Sequence, residues 1–235
     1  MTMQLFVKLV LAHLIGDFML QPTKWVIHKE ANKAASKFLY LHVLVHFILY
    51  MLFLWDFQKW WIALFLSMGH LIIDMAKLYV TPLFKNKSIP FFLDQILHIL
   101  TIYVFVYFTN LHEQTMALFQ GLDWPLVLAI VFVTTPSAII MGKLLEGMSN
   151  QINTDHKSLP NAGTYIGIIE RLFVLTFIII GRWEAIGLLI TAKSVFRFND
   201  LKESNSRKLT EYILIGTLVS FGLAILTGLL YISHI

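Results

Sequence analysis

The chain has no cysteine, which excludes disulfides and thiolate metal sites and leaves imidazole, carboxylate and carbonyl groups as the available metal ligands. Charge is scarce as well. Asp, Glu, Lys and Arg make up 14% of 235 residues, against about one quarter in an ordinary soluble domain. Walker, G-x-S-x-G, H-E-x-x-H and dinucleotide-binding motifs are all missing, so none of the chemistries those spacings serve is signalled. What fills the chain instead is apolar: hydrophobic residues reach 57% and the mean hydropathy is +0.72, the composition of an integral membrane protein. Eighteen basic against fourteen acidic residues leave a net charge of +4. The distribution of that excess reads as membrane topology, and no nucleic-acid partner is expected.

Cutting the chain at its charges, prolines and glycines gives about eight apolar stretches, each near the roughly 20 residues a bilayer-crossing helix needs. They lie near residues 3–20, 38–55, 60–80, 91–109, 124–142, 164–181, 183–198 and 210–233. The expected fold is therefore all-α, a polytopic transmembrane helix bundle. Between the first two spans, residues 24–37 are rich in lysine but carry Trp25, Val26 and Ile27, which predicts an amphipathic helix on the membrane surface. The organisation expected is two four-span regions, residues 1–120 and 121–235.

Orientation follows from the basic residues. With the N-terminus outside, the cytoplasmic loops hold Lys24, Lys29, Lys33, Lys37, Lys85, Lys87, Lys143, Lys157, Arg197, Lys202, Arg207 and Lys208, and the outer loops hold Lys59 and Arg182. Twelve against two is a positive-inside bias that puts both termini outside. Trp55, Trp60, Trp61, Trp124 and Trp183 then all fall at outer helix ends, where an aromatic belt belongs.

Two near-identical pentapeptides stand inside apolar stretches, His13-Leu14-Ile15-Gly16-Asp17 and His70-Leu71-Ile72-Ile73-Asp74. A four-residue offset turns a helix by about 400°, so each His shares a face with its Asp. The next two spans add His42 with His46 and Asp94 with His98. At about 1.5 Å per residue, Asp17, His42, Asp74 and Asp94 lie roughly 5–9 Å below the cytoplasmic boundary, and His13, His46, His70 and His98 about one turn deeper. Lipid solvates none of them, so the eight are expected to converge. The echo between spans one and three hints at an internal duplication.

Five histidines and three aspartates at one depth suit a divalent metal, zinc first and iron or manganese as alternatives. Two other readings stay open: interhelical hydrogen bonding worth on the order of 1 kcal/mol per contact, and a proton relay. Gln21 and Gln95, each just beyond an acidic residue, are candidates to orient water or substrate beside Asp17, Asp74 and Asp94. A second polar set comprises Lys77, Glu170, Arg171, Lys193 and Arg197. Its sharper reading is a substrate-binding clamp for phosphate or carboxylate, its plainer one ion pairing with snorkelling. Gly216, Ser220, Ala224 and Gly228 recur every fourth residue, a small-residue face for close helix packing within the fold or in a homo-oligomer.

The segments HLIGDFMLQ, LHVLVH, HLIIDMAK and DQILH resemble the bacterial membrane family catalogued as domain of unknown function 3307, and IGIIER, AKSVFRF and EYILIGTLVS resemble the carboxy region of its longer members. The resemblance implies a bacterial inner-membrane protein with signature positions at His13, Asp17, Gln21, His42, His46, His70, Asp74, Lys77, Asp94, Gln95 and His98, and brings no activity with it.

The leading expectation is a membrane-embedded, metal-dependent hydrolase acting from the cytoplasm on a lipid-linked or phosphate-bearing substrate. An ion or proton-coupled transporter or channel is the alternative, but transporter sites tend to lie near the midplane beside broken helices, and spans one to four lack internal proline. A scaffold recruiting a soluble cytoplasmic partner is the third. Membrane lipids are expected partners in every case.

Overall fold

The computed structural model describes residues 2–109, 121–149, 162–204 and 207–234, and no strand occurs among them. Ten α-helices follow one another: α1 (Thr2–Leu14), α2 (Thr23–Asn32), α3 (Lys37–Leu54), α4 (Trp60–Val80), α5 (Ser88–Thr109), α6 (Trp124–Val133), α7 (Thr135–Ser149), α8 (Ala162–Ile179), α9 (Trp183–Ser204) and α10 (Arg207–Ile232). They form two compact units, Met1–Leu128 and Ala129–Ile235.

In the first unit α1, α3, α4 and α5 pack into a ring, α1 against α3 and α5, and α4 against α3 and α5. Each helix is turned with its polar side inward. On α3, His42 and His46 are wholly buried while Leu44, Ile48 and Leu52 are exposed. On α4, His70 and Asp74 are buried and Ile72 is 66% exposed. On α5, Asp94 and His98 are buried while Ile96 and Leu100 face out. Water would reward the opposite arrangement, whereas a bilayer rewards this one, because an apolar surface costs nothing against lipid tails and ionisable groups belong inside. Lys8 is also buried on α1, its ammonium 4.7 Å above the Trp124 ring, a cation–π placement.

Five helical stretches are long and apolar enough to cross a bilayer: Lys37–Leu54, Phe57–Leu83, Ser88–Thr109, Ala162–Ile179 and Lys208–Ile232. Counting two bent pairs as one span each raises this to seven. Among the described residues that makes five to seven candidate spans where about eight are expected, for local reasons. The first stretch turns by 84° between Met3–Met19 and Thr23–Ala35, and Pro22 extends the backbone at the bend (ψ 146°). The fifth is broken at Thr134, with a 42° bend between α6 and α7. The seventh, within α9, has a short apolar run interrupted by Lys193. The predicted surface helix is α2 with a 3-10 turn at Lys33–Ala35. It does not lie free on a surface: Trp25 stacks on Phe38 with ring centroids 5.5 Å apart, and Lys29 is buried. Asp56, in the turn after α3, accepts from the Gln58 amide at 3.0 Å, and the ammonium of Lys59 holds its carboxyl below the usual range.

In the second unit α10 packs along α8 and α7, and α9 along α8. Pro136 has no N–H to give Phe132, and the Ser137 hydroxyl donates to that carbonyl instead at 2.7 Å. Arg171 donates from Nε to the Val133 carbonyl at 2.5 Å and from Nη2 to the Thr134 carbonyl at 3.0 Å, and from Nη1 to the Ser220 hydroxyl at 3.2 Å. One guanidinium therefore satisfies the backbone freed by the break. The small-residue face of α10 is used within this unit: a methyl group placed on Gly228 would lie 2.8 Å from Ile178 Cγ2, one on Gly216 3.3 Å from Leu145 Cδ1, and Ser220 and Ala224 are buried.

Candidate metal centre

The centre starts from a local irregularity. Residues Ile15–Met19 wind as a π-helix, closed by the Leu20 amide on the Ile15 carbonyl at 2.9 Å. Wide turns of this kind recur at functional sites. Here the turn accompanies a close approach: a methyl group on Gly16 would lie 2.5 Å from Cε1 and 2.6 Å from Nε2 of His46. The second pentapeptide has Ile73 in the corresponding place and stays α-helical. The echo between the two segments therefore does not extend to their backbone.

Asp17 is the hub. Its Oδ1 lies 3.0 Å from His46 Nε2, 3.1 Å from His42 Nε2 and 3.5 Å from His70 Nε2, while its Oδ2 accepts from Gln95 Nε2 at 2.9 Å and lies 3.7 Å from His13 Nε2. His42 and His70 bring their Nε2 atoms to 3.0 Å of each other, and His13 Nε2 is 3.3 Å from Gln95 Oε1. Three helices, α1, α3 and α4, thus deliver four imidazoles to one carboxylate, and α5 adds Gln95. The outer nitrogens, Nδ1 of His13, His42, His46 and His70, are buried without a hydrogen-bond partner.

Two ion pairs flank the hub. Lys29 Nζ donates to Asp74 Oδ2 at 2.7 Å, with His42 Nε2 3.8 Å from the same oxygen. Lys77 Nζ donates to Asp94 Oδ2 at 2.7 Å, and Gln95 Nε2 reaches that oxygen at 3.1 Å. His98 donates from Nδ1 to the Asp94 backbone carbonyl at 2.9 Å, so its Nε2 holds a lone pair; that atom and Asp94 Oδ1 are buried without a partner. Three sets of side chains have ligand atoms within 4.8 Å of one another: His13, Asp17, His46 and His70; His42, His70 and Asp74; and Asp17, Asp94 and His98.

All eight expected ligands and Gln95 therefore meet in one pocket of the first unit. Gln21 stands apart from the hub. It lines a cavity of about 230 Å³ together with Lys29, Asp74, Lys77, Thr81 and Lys87, and this cavity shares Lys29, Asp74 and Lys77 with the cluster. Lys29 is the residue the sequence reading missed as a member of the site. It was one basic residue among several in a polar stretch, and only the turn at Pro22 hints that the stretch folds back. The residues of the expected clamp are divided between the units, Lys77 in the first and Glu170, Arg171, Lys193 and Arg197 in the second. Lys77 pairs with Asp94 in the first unit. In the second, Lys193 pairs with Glu170 at 2.5 Å and Arg171 is spent on carbonyls. The side chain of Arg197 lies outside the described residues.

The donor set fits a divalent ion. Neutral imidazole and carboxylate are zinc ligands, and a tetrahedral ion with bonds of about 2.0–2.1 Å spaces its ligands about 3.3 Å apart. The separations of 3.0–3.5 Å around Asp17 Oδ1 bracket that value.

No curated protein and no solved structure matches the chain significantly. A family model, described as protein of unknown function (DUF3307), matches residues 5–126. The matched stretch contains every residue of the centre, while the later segments with the expected likeness to longer members lie beyond it. With more than half its length matched, the chain belongs to the DUF3307 family.

Proposed function

We propose that this protein is a membrane-embedded, metal-dependent hydrolase that acts on a lipid-linked or phosphate-bearing substrate entering from the cytoplasmic side of a bacterial inner membrane. The observation that carries this reading is the gathering of three imidazole Nε2 atoms within 3.5 Å of one Asp17 oxygen. The Nε2 atoms of His42 and His70 also lie 3.0 Å apart, so both cannot carry a proton toward Asp17, whereas a cation among the four atoms draws all of their lone pairs inward. Unpaired ionisable groups in a membrane are costly, and an ion offsets that cost.

A divalent ion held here would supply an activated water and polarise a substrate oxygen. His42, His46, His70 and Asp17 would hold it, with His13 beside the second Asp17 oxygen. Asp74 lines the adjoining cavity and would accept a proton from water there. Gln95 fixes Asp17 and Asp94 through one amide nitrogen, and Gln21 orients what enters the cavity. With imidazoles neutral, three aspartates against Lys29 and Lys77 leave one negative charge, and a divalent ion turns this into one positive charge. The loaded pocket attracts an anion, and Lys29, Lys77 and Lys87 line the route to it. Zinc, iron and manganese all suit the ligand types.

Elemental analysis of the purified protein in detergent tests the reading, together with hydrolysis of phosphate-bearing lipids before and after chelation. Bound metal in the wild type, lost in Asp17→Asn and His46→Ala along with turnover, is the expected result. A folded wild type that takes up no zinc, iron or manganese overturns it. A second reading, an ion or proton-coupled carrier, draws on the unbroken run His46–Asp17–His42–His70 at 3.0–3.1 Å per step. Ion flux into liposomes without hydrolysis selects that reading.

A further inference from the structure

Counting ligands raises a difficulty for a single ion. Five imidazoles and three carboxylates surround the centre, whereas a tetrahedral ion takes four ligands and a catalytic one keeps a position open. One ion would leave several polar groups buried in a bilayer with nothing to bind. Among the atoms in that position are His98 Nε2 and Asp94 Oδ1, both buried and without a hydrogen-bond partner. His98 is held for ligation in the usual manner of a metal-binding histidine: its Nδ1–H is tied to a backbone carbonyl, which fixes the tautomer and presents the Nε2 lone pair. Its ring stands 4.1 Å from that of His70 and 4.9 Å from that of His13, centroid to centroid, so it borders the first ligand set.

Asp17 joins the two sets. It belongs both to the group with His13, His46 and His70 and to the group with Asp94 and His98, and its two oxygens face different side chains. Oδ1 faces His42, His46 and His70, while Oδ2 faces His13 at 3.7 Å and Gln95, whose amide also holds Asp94. A carboxylate with its two oxygens turned to two ligand sets is the arrangement of a bridge between metal ions, which in two-metal sites stand about 3.5–4 Å apart.

We propose that the centre binds two divalent ions bridged by Asp17, the first among His42, His46 and His70 on the Oδ1 side and the second at Asp94 and His98 on the Oδ2 side, where His13 also lies. The proposal rests on the metal-dependent reading above and deepens it. Charge limits when the second ion binds. The first leaves the pocket with one positive charge and the second would leave three, so the second ion enters together with an anion. A phosphate group placed between the ions meets that need, which makes a phosphate ester or anhydride the substrate class.

Manganese(II) is the probe, added with inorganic phosphate to the full-length protein in detergent and read by stoichiometry and by electron paramagnetic resonance. Two ions per chain with an exchange-coupled spectrum are expected. His98→Ala should bind one ion and give the spectrum of an isolated centre; Asp94→Asn, which keeps the side-chain shape, carries the same expectation if the alanine variant does not fold. One uncoupled ion in the wild type, two uncoupled ions, or a coupled pair that survives both substitutions overturns the two-ion proposal and leaves the metal-dependent reading standing. No bound manganese, zinc or iron under any condition overturns both.

Discussion

Lys29 carries an ammonium group into a pocket where Asp74 Oδ2, 2.7 Å away, answers its charge. Breaking a buried pair from one side leaves the other charge uncompensated and costs about 3–5 kcal/mol. Lys29→Met should therefore lower the unfolding temperature of the metal-free protein in detergent, and Lys29→Met with Asp74→Leu should recover most of the loss. The single variant has a second consequence. Asp74 shares a ligand group with His42 and His70, and the ammonium competes with a cation for it, so added zinc should raise the unfolding temperature of Lys29→Met by more than that of the wild type; an equal or smaller shift would separate Asp74 from the metal site. At this scale the sequence was legible where residues repeat with helical spacing: the four i, i+4 pairs announce their common face whatever the surrounding tertiary structure. It was illegible for Lys29 and Arg171, whose partners are set by a bend and a helix break. A lysine in a polar stretch looks solvated, and an arginine beside Glu170 looks like half of an ion pair, when Arg171 donates to backbone carbonyls instead.

At the scale of elements, the π-turn and the α6–α7 break are two of the places where helices depart from regularity, and each is matched by particular side chains. The π-turn has Gly16, which lets the His46 ring press against the backbone. Gly16→Ala must move that ring or the turn, an overpacking cost of about 1–3 kcal/mol, and should weaken metal binding because His46 points at Asp17. Gly69→Ala on α4 is the control. A methyl group there meets Thr101 Cγ2 at an ordinary 3.5 Å, so both stability and metal content should stay near the wild type. If the two variants behave alike, the close approach at Gly16 is not what positions His46. At the break, Arg171→Ala strips donors from two carbonyls, each worth about 1–3 kcal/mol when left unsatisfied. The variant should lose thermal stability while keeping its metal, whereas an arginine that served only as an anion clamp would be removable without loss of stability. The sequence held a trace of this break in Thr134-Thr135-Pro136. Apolar run length alone passed over it, because hydropathy averages across a kink that costs one hydrogen bond.

At the scale of the whole molecule, membrane character follows from composition, and the exposed apolar faces of α3, α4 and α5 bear it out. The number of crossings does not follow so simply, since a bent pair and a straight helix can have the same hydropathy. The bend after α1 matters most, because it decides on which side α2 and the cavity beside Lys29 open. The excess of lysine in the stretches around α2 and between α4 and α5 makes that side the expected cytoplasmic one, and the lack of any native cysteine makes the orientation directly measurable. Single cysteines at Lys59, between α3 and α4, and at Lys87, between α4 and α5, sit at opposite ends of one membrane-crossing stretch, Phe57–Leu83. In intact cells with the outer membrane made permeable, an impermeant maleimide should label Lys59→Cys and spare Lys87→Cys until the inner membrane is also opened. The reverse pattern would turn the molecule over and place the lysine-lined mouth of the centre outside the cell. An anionic substrate would then reach Lys29, Lys77 and Lys87 from the outer face, and a hydrolase fed from the cytoplasm would no longer be tenable.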